Sequence, residues 1–205
     1  NPFIHLYENI LIPGQNWQDY DVVGISIIGI SQIIPGLTLA RLLKEKYPHL
    51  HITLGGPIFS VNSKQLMGHP EFFQEFCDSI VTFEGEEPLH RLLTTLKNGS
   101  TLKNVPNLLF YENGKIEHNK ERVELRFEEM PPPTFDGLPM DLYLSPYPIL
   151  PVLQSRGCYW GKCTFCDISL DYIKRYEPIA AKLLVDRMEE IIAQTGEYGF
   201  HFVDE

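Results

Sequence analysis

Three cysteines within nine residues constrain this chain more than any other feature. They stand in Ser155-Arg156-Gly157-Cys158-Tyr159-Trp160-Gly161-Lys162-Cys163-Thr164-Phe165-Cys166. The loop offers three soft ligands, and Gly157 and Gly161 let its backbone curl around a bulky inorganic core. Three thiolates are the informative count. A structural zinc site closes with four ligands, whereas an iron-sulfur cluster held by three leaves one iron open. For zinc, His201 or Cys77 could be the fourth ligand, but neither lies at zinc-finger spacing from the triad. A disulfide framework is disfavoured, because three of the four cysteines crowd together and nothing resembles a signal peptide.

Upstream, the pattern alternates strand and helix. Asp21–Ile30 is an apolar, β-branched run without alternation, as a strand buried on both faces requires. Leu37, Leu39, Ala40, Leu42 and Leu43 then mark one face of a helix over 35–47, closed by Pro48. A second strand, His51–Leu54, runs into Gly55-Gly56-Pro57. A third, Ser79–Phe83, runs into Glu84-Gly85-Glu86, followed by a helical stripe at Leu89, Leu92, Leu93 and Leu96. Glu112-Asn113-Gly114 reads as the turn of a hairpin between 107–111 and 115–118. This order predicts an α/β, doubly wound (Rossmann-like or flavodoxin-like) domain over 1–127, with ligands at the carboxyl ends of its strands.

Prolines crowd residues 128–150 and predict an extended linker. Residues 151–205 then read as strand, cysteine loop, helix (180–195) and strand (198–203). These are the first β/α units of a TIM-type barrel. A full barrel takes about 250 residues, so the chain is expected to carry only part of one and to be inactive alone.

Composition narrows the function classes. A net charge of -10, with no basic block, disfavours nucleic acid. No apolar run approaches the roughly 20 residues that span a bilayer, so a cytoplasmic protein is expected. No GxGxxG follows the first strand and no P-loop appears, which disfavours dinucleotides and nucleoside triphosphates.

The cysteine loop resembles the cluster-binding signature of the radical S-adenosylmethionine (SAM) superfamily. Its spacing is Cx4Cx2C, where Cx3Cx2C is the commoner form. The α/β domain ahead of it is similar to the cobalamin (B12) domain of the class B members, on Asp21–Ser26, Gly55-Gly56-Pro57 and Glu84-Gly85-Glu86. The resemblance implies a [4Fe-4S] cluster on Cys158, Cys163 and Cys166, with SAM on the open iron. Phe165 would lie near the adenine, Asp204 and Glu205 near the SAM amino group, and Arg156 could counter the cluster's charge. It also implies cobalamin against Ser26, Ser31, Gln32, Gly55, Gly56, Glu84, Gly85 and Glu86. No Asp-x-His-x-x-Gly is present in the first domain, so cobalt would have no histidine ligand, and His49, His51 and His69 read as surface or core residues.

The activity so implied is reductive cleavage of SAM to a 5'-deoxyadenosyl radical, for methyl transfer to an unactivated carbon. A flavodoxin or ferredoxin would supply the electron, and the substrate would be a small molecule or peptide. Two alternatives stay open: a radical SAM enzyme without functional cobalamin, and a non-catalytic, metal-stabilised binding module.

Overall fold

The structure is a computed structural model that describes residues 1–119, 121–123, 125–165 and 176–204. The chain divides into two compact units, Asn1–Glu124 and Leu125–Glu205. Residues 128–150, expected as a linker, fall in the second unit.

The first unit opens with a short helix, α1 (Pro2–Leu6), and is built on a five-stranded sheet. Its strands are β1 (Val22–Ser26), β2 (His51–Gly55), β3 (Ser79–Val81), β4 (Leu108–Glu112) and β5 (Lys115–His118). They lie side by side in chain order. β1, β2 and β3 are parallel, and β4 and β5 are antiparallel additions at one edge. This is the expected α/β class with a parallel-rich centre.

Two long helices form where the stripes predict them. They are α2 (Ile33–Lys46), between β1 and β2, and α6 (Glu86–Lys97), between β3 and β4. Between β2 and β3 the chain makes three short helices, α3 (Pro57–Val61), α4 (Ser63–Leu66) and α5 (Pro70–Phe76). Proline opens two of them at the first helical position, where its missing N–H costs nothing. The core is made of Ala40 and Leu43 of α2, Ile52 and Leu54 of β2, Ile80 of β3, Leu109 of β4 and Phe73 of α5. Cys77 is buried in it as a small hydrophobe, and burial pushes its thiol up.

The Asn113-Gly114 turn has positive φ at both residues, 52° and 81°, and closes Glu112 onto Lys115. This is the two-residue connection that suits the twist of a hairpin.

The second unit has β6 (Leu150–Val152) and β9 (Phe200–Phe202) paired in parallel, joined through α7 (Ala181–Thr195). A short antiparallel pair, β7 (Ser155–Arg156) with β8 (Glu177–Pro178), flanks the cysteine loop. Leu150, Val152 and Ile191 form its core, and Phe135 and Met140 of the proline-rich segment pack against them. That packing is why the segment is part of a folded unit, despite a composition that favours extended backbone.

The same segment is tied down at its start by Arg187 of α7. This buried guanidinium donates from Nη2 to the carbonyls of Phe127, Glu128 and Met130. Among the described residues, no helix is long and apolar enough to cross a membrane.

Candidate functional site

The carboxyl ends of β1, β2 and β3 converge on a cavity of about 480 Å³ in the first unit. Its floor is small-residue backbone: Gly24 and Ser26 from β1, Gly55 and Gly56 from the end of β2, and Gly85 before α6. Leu89, Val81 and Phe83 supply apolar walls, and Glu86 contributes a carboxylate at the α6 N-terminus. The small residues let a ligand approach the backbone at the strand ends closely.

The glycines differ in kind. At Gly56, φ is +112° and an added Cβ would stand 2.2 Å from the Ile27 carbonyl oxygen, so the protein's own turn already demands glycine there. At Gly55 an added Cβ would meet the Val81 carbonyl oxygen at 3.7 Å, an ordinary contact. Gly55 is therefore the glycine whose openness the fold itself does not require.

Phe83 escaped the sequence reading. It lines the cavity with φ +61°, a left-handed conformation costly for an aromatic residue. Its N–H donates to Ser60 Oγ at 2.7 Å, and the Arg122 guanidinium sits 4.3 Å from its ring centroid. Neither residue stands near Phe83 in sequence, so no local pattern announces the contact.

Ser31 and Gln32, expected beneath a bound corrin, lie in the 3₁₀ turn that leads into α2. Gln32 Oε1 accepts from the N–H groups of Ile28 (2.8 Å) and Gly29 (3.2 Å), so its oxygen is committed to the loop. Of the expected contacts, Ser26, Gly55, Gly56, Gly85 and Glu86 share the cavity.

In the second unit, Cys158 and Cys163 are free, half-buried thiols. Gly157 and Gly161 have φ of 72° and 55°, the left-handed turns that curl the loop. Tyr159, Trp160 and Phe165 are exposed, Phe165 at 88%. Cys166 and Glu205 lie outside the described residues, and among the described residues no group of three metal-ligating side chains is assembled. The donors present, two thiols on a glycine-kinked loop, fit a soft metal centre by their chemistry.

Arg156 packs over the Phe127 ring at 5.6 Å and points Nη2 at Met130 Sδ. Asp204 Oδ1 accepts from Gln154 N–H, Ser155 N–H and Ser155 Oγ. A larger cavity, about 650 Å³, is lined by Phe135, Tyr143, Tyr147 and Glu197. It opens at the amino end of β6, away from the end that launches the cysteine loop.

No family model matches the chain. In sequence it is similar to an uncharacterised methyltransferase of Pyrococcus horikoshii, 29% identical over 192 residues that cover 91% of this chain and 40% of the relative. It is also similar to 4'-phospho-dehydrooxetanocin synthase of Priestia megaterium, 28% identical over 81% of this chain and 22% of the relative. In structure it matches the cobalamin-dependent SAM radical enzyme OxsB, determined with aqua-cobalamin and SAM bound. The TM-score is 0.71 and the identity 22%, over 98% of this chain.

The chain shares the fold of part of a cobalamin-dependent radical SAM enzyme.

The radical SAM methyltransferase TsrM of Kitasatospora setae, with cobalamin and a [4Fe-4S] cluster bound, matches over 95% of the chain at 18% identity and a TM-score of 0.59. These likenesses run through both units. The chain spans about 40% and 22% of the two sequence relatives, and 27% of OxsB.

Proposed function

We propose that this chain is the cobalamin-binding and cluster-binding portion of a radical SAM methyltransferase. One conjunction carries the reading. A loop with three closely spaced cysteines leaves the first strand of a β-α-β unit, behind an α/β unit whose strand ends open a glycine- and serine-floored cavity. Of the solved structures that match nearly the whole chain, OxsB was determined with cobalamin and SAM, and TsrM with cobalamin and a [4Fe-4S] cluster.

In this reading Cys158, Cys163 and Cys166 would hold a [4Fe-4S] cluster, and Phe165, Asp204 and Glu205 would line the place of SAM. When bound, the cluster and SAM supply a strongly oxidising carbon radical, and cobalamin supplies a transferable methyl group. The protein's part is to bind, orient and shield them. Ser26, Gly55, Gly85 and Glu86 would seat the corrin. Ser31, Gln32, Gly56 and Glu84 would support that seat, with Gln32 bracing the loop through Oε1. Arg156 would offset part of the cluster's negative charge. A flavodoxin- or ferredoxin-type donor would deliver the electron, and the acceptor of the methyl group would be a small molecule or peptide.

The experiment is to reconstitute the protein anaerobically with iron and sulfide, reduce it with dithionite and record its electron paramagnetic resonance spectrum. A reduced [4Fe-4S] signal, lost in Cys163→Ala, supports the reading. Iron bound in any other form would contradict it.

A second reading, an α/β unit without corrin, draws on Gly56. That glycine is already explained by its own contact with Ile27. Corrin retained through desalting separates the two readings.

A further inference from the structure

Asp204 is engaged in a way that a direct cofactor contact does not explain. Its Oδ1 accepts three hydrogen bonds: from Gln154 N–H at 2.9 Å, Ser155 N–H at 2.6 Å and Ser155 Oγ at 3.0 Å. Its Oδ2 is buried and has no partner among the described residues. The parallel pairing of β6 with β9 runs out just before this point, with Val203 N–H donating to the Val152 carbonyl at 3.0 Å. Among the described residues the strand ends at Phe202, and the Asp204 carboxylate is the acceptor for the next amides.

Those amides belong to the two residues that precede Arg156-Gly157-Cys158. The other side of the same segment is also fixed: Ile179 N–H donates to the Gln154 carbonyl at 3.0 Å, and Ser155 pairs with Pro178. Gln154 and Ser155 are thus clamped between a carboxylate and β8, immediately before the chain turns into the cysteine loop. Hydrogen bonds to an ionised acceptor are the stronger kind, and a carboxylate that gathers three of them fixes direction as well as position.

We infer that Asp204 is a positioning residue for the cysteine loop: through Oδ1 it fixes the direction in which the chain leaves β6, and so where Cys158 presents its thiolate. The inference rests on the reading that this loop holds a cluster. It gives Asp204 a task on the protein side, distinct from the contact with the SAM amino group that the family resemblance suggests.

The test uses Asp204→Ala, which removes the acceptor, and Asp204→Asn, which keeps a carbonyl oxygen at Oδ1. In the iron-free protein, amide exchange at Gln154 and Ser155 is expected to speed up about tenfold or more in the Ala variant, given three lost bonds. The β6 amides at Leu150 and Val152 should stay within about twofold. After anaerobic loading with iron and sulfide, a chelator should strip iron about 10 to 100 times faster from Asp204→Ala, the range typical of lost ligand support. Asp204→Asn should stay within about threefold of the unmodified protein in both assays.

Unchanged exchange and stripping in Asp204→Ala would overturn the inference, as would an Asn variant as impaired as the Ala variant. Should Asp204→Ala lose β6 as well, Ser155→Ala, which removes one of the three bonds, carries the test. Faster stripping with β6 intact supports the role, and stripping at the unmodified rate overturns it. If the unmodified protein takes up no iron, the cluster reading fails, while the exchange measurements still decide whether Asp204 fixes the segment.

Discussion

The N–H of Phe83 donates to Ser60 Oγ at 2.7 Å, and this bond braces an aromatic residue at φ +61° on the wall of the first unit's cavity. Ser60 is buried, so its loss leaves the amide with no replacement acceptor from solvent on that side. Ser60→Ala is expected to lower stability by about 1–3 kcal/mol, read as a shift in the urea midpoint. An unchanged midpoint would show that Phe83 is held by its neighbours without Ser60.

Gly55 and Gly56 adjoin each other but should respond differently to alanine. At Gly56 the new methyl would collide with the Ile27 carbonyl in a conformation that already disfavours side chains. Gly56→Ala is expected to cost on the order of 2–4 kcal/mol, in the upper part of the range for point mutations. Gly55→Ala should stay within about 1 kcal/mol, the scale of a glycine-to-alanine change in a strand, while reducing retention of hydroxocobalamin after desalting. Thermal melts measure the first effect and absorbance of bound corrin the second. Full corrin retention in Gly55→Ala would mean that this cavity floor is not where a corrin lies.

The sequence made the alternation of elements legible but not their ends. The apolar run from Asp21 reads as strand up to Ile30, yet β1 stops at Ser26. Its partner β2 ends at Gly55, and the amides of Ile28 and Gly29 go instead to the side chain of Gln32. A side chain four residues downstream takes the place of a strand, leaving Ile28 and Ile30 exposed, and hydrophobicity alone does not reveal that exchange. The same limit applies to Phe83 and Asp204, whose partners are set by tertiary structure. By contrast, the stripe of Leu89, Leu92, Leu93 and Leu96 and the Asn113-Gly114 turn depend on local periodicity and local backbone chemistry, and both elements stand where those signals put them.

His51 links acidity to stability. Its Nε2 lies 2.8 Å from Ser79 Oγ, which donates in turn to Thr53 Oγ1. Burial lowers its pKa below the usual 6.5, with Asp78 opposing and Lys44 reinforcing that shift. The unfolded chain therefore binds this proton more readily than the folded one. The folded state is not penalised above pH 6.5 and is progressively penalised as pH falls from there toward the lowered value. His51→Asn is expected to flatten the loss of stability below pH 6.5, compared by urea midpoints at pH 7.5 and 5.5. An equally steep loss in the variant would assign that pH dependence to other groups.

Arg187 is the main tie between α7 and the start of the proline-rich segment. Replacing it with methionine removes a donor that serves three carbonyls, those of Phe127, Glu128 and Met130, while preserving much of the apolar stem. Arg187→Met is expected to destabilise the second unit by about 2–4 kcal/mol, consistent with the loss of charged hydrogen bonds at a buried site. Limited proteolysis should then cut between residues 125 and 135 before it cuts in the first unit. Retained resistance there would place the hold on this segment in Phe135 and Met140 alone.

The proposed function requires that one chain provide both a three-cysteine cluster loop and a corrin-binding α/β unit. The most direct measurement is the iron and cobalt content of the protein after anaerobic reconstitution with iron, sulfide and hydroxocobalamin, followed by desalting. About four irons per chain are expected, as a [4Fe-4S] centre requires, with cobalt retained alongside and the iron lost in Cys163→Ala. Zinc bound in place of both, or iron that persists without Cys163, would contradict it.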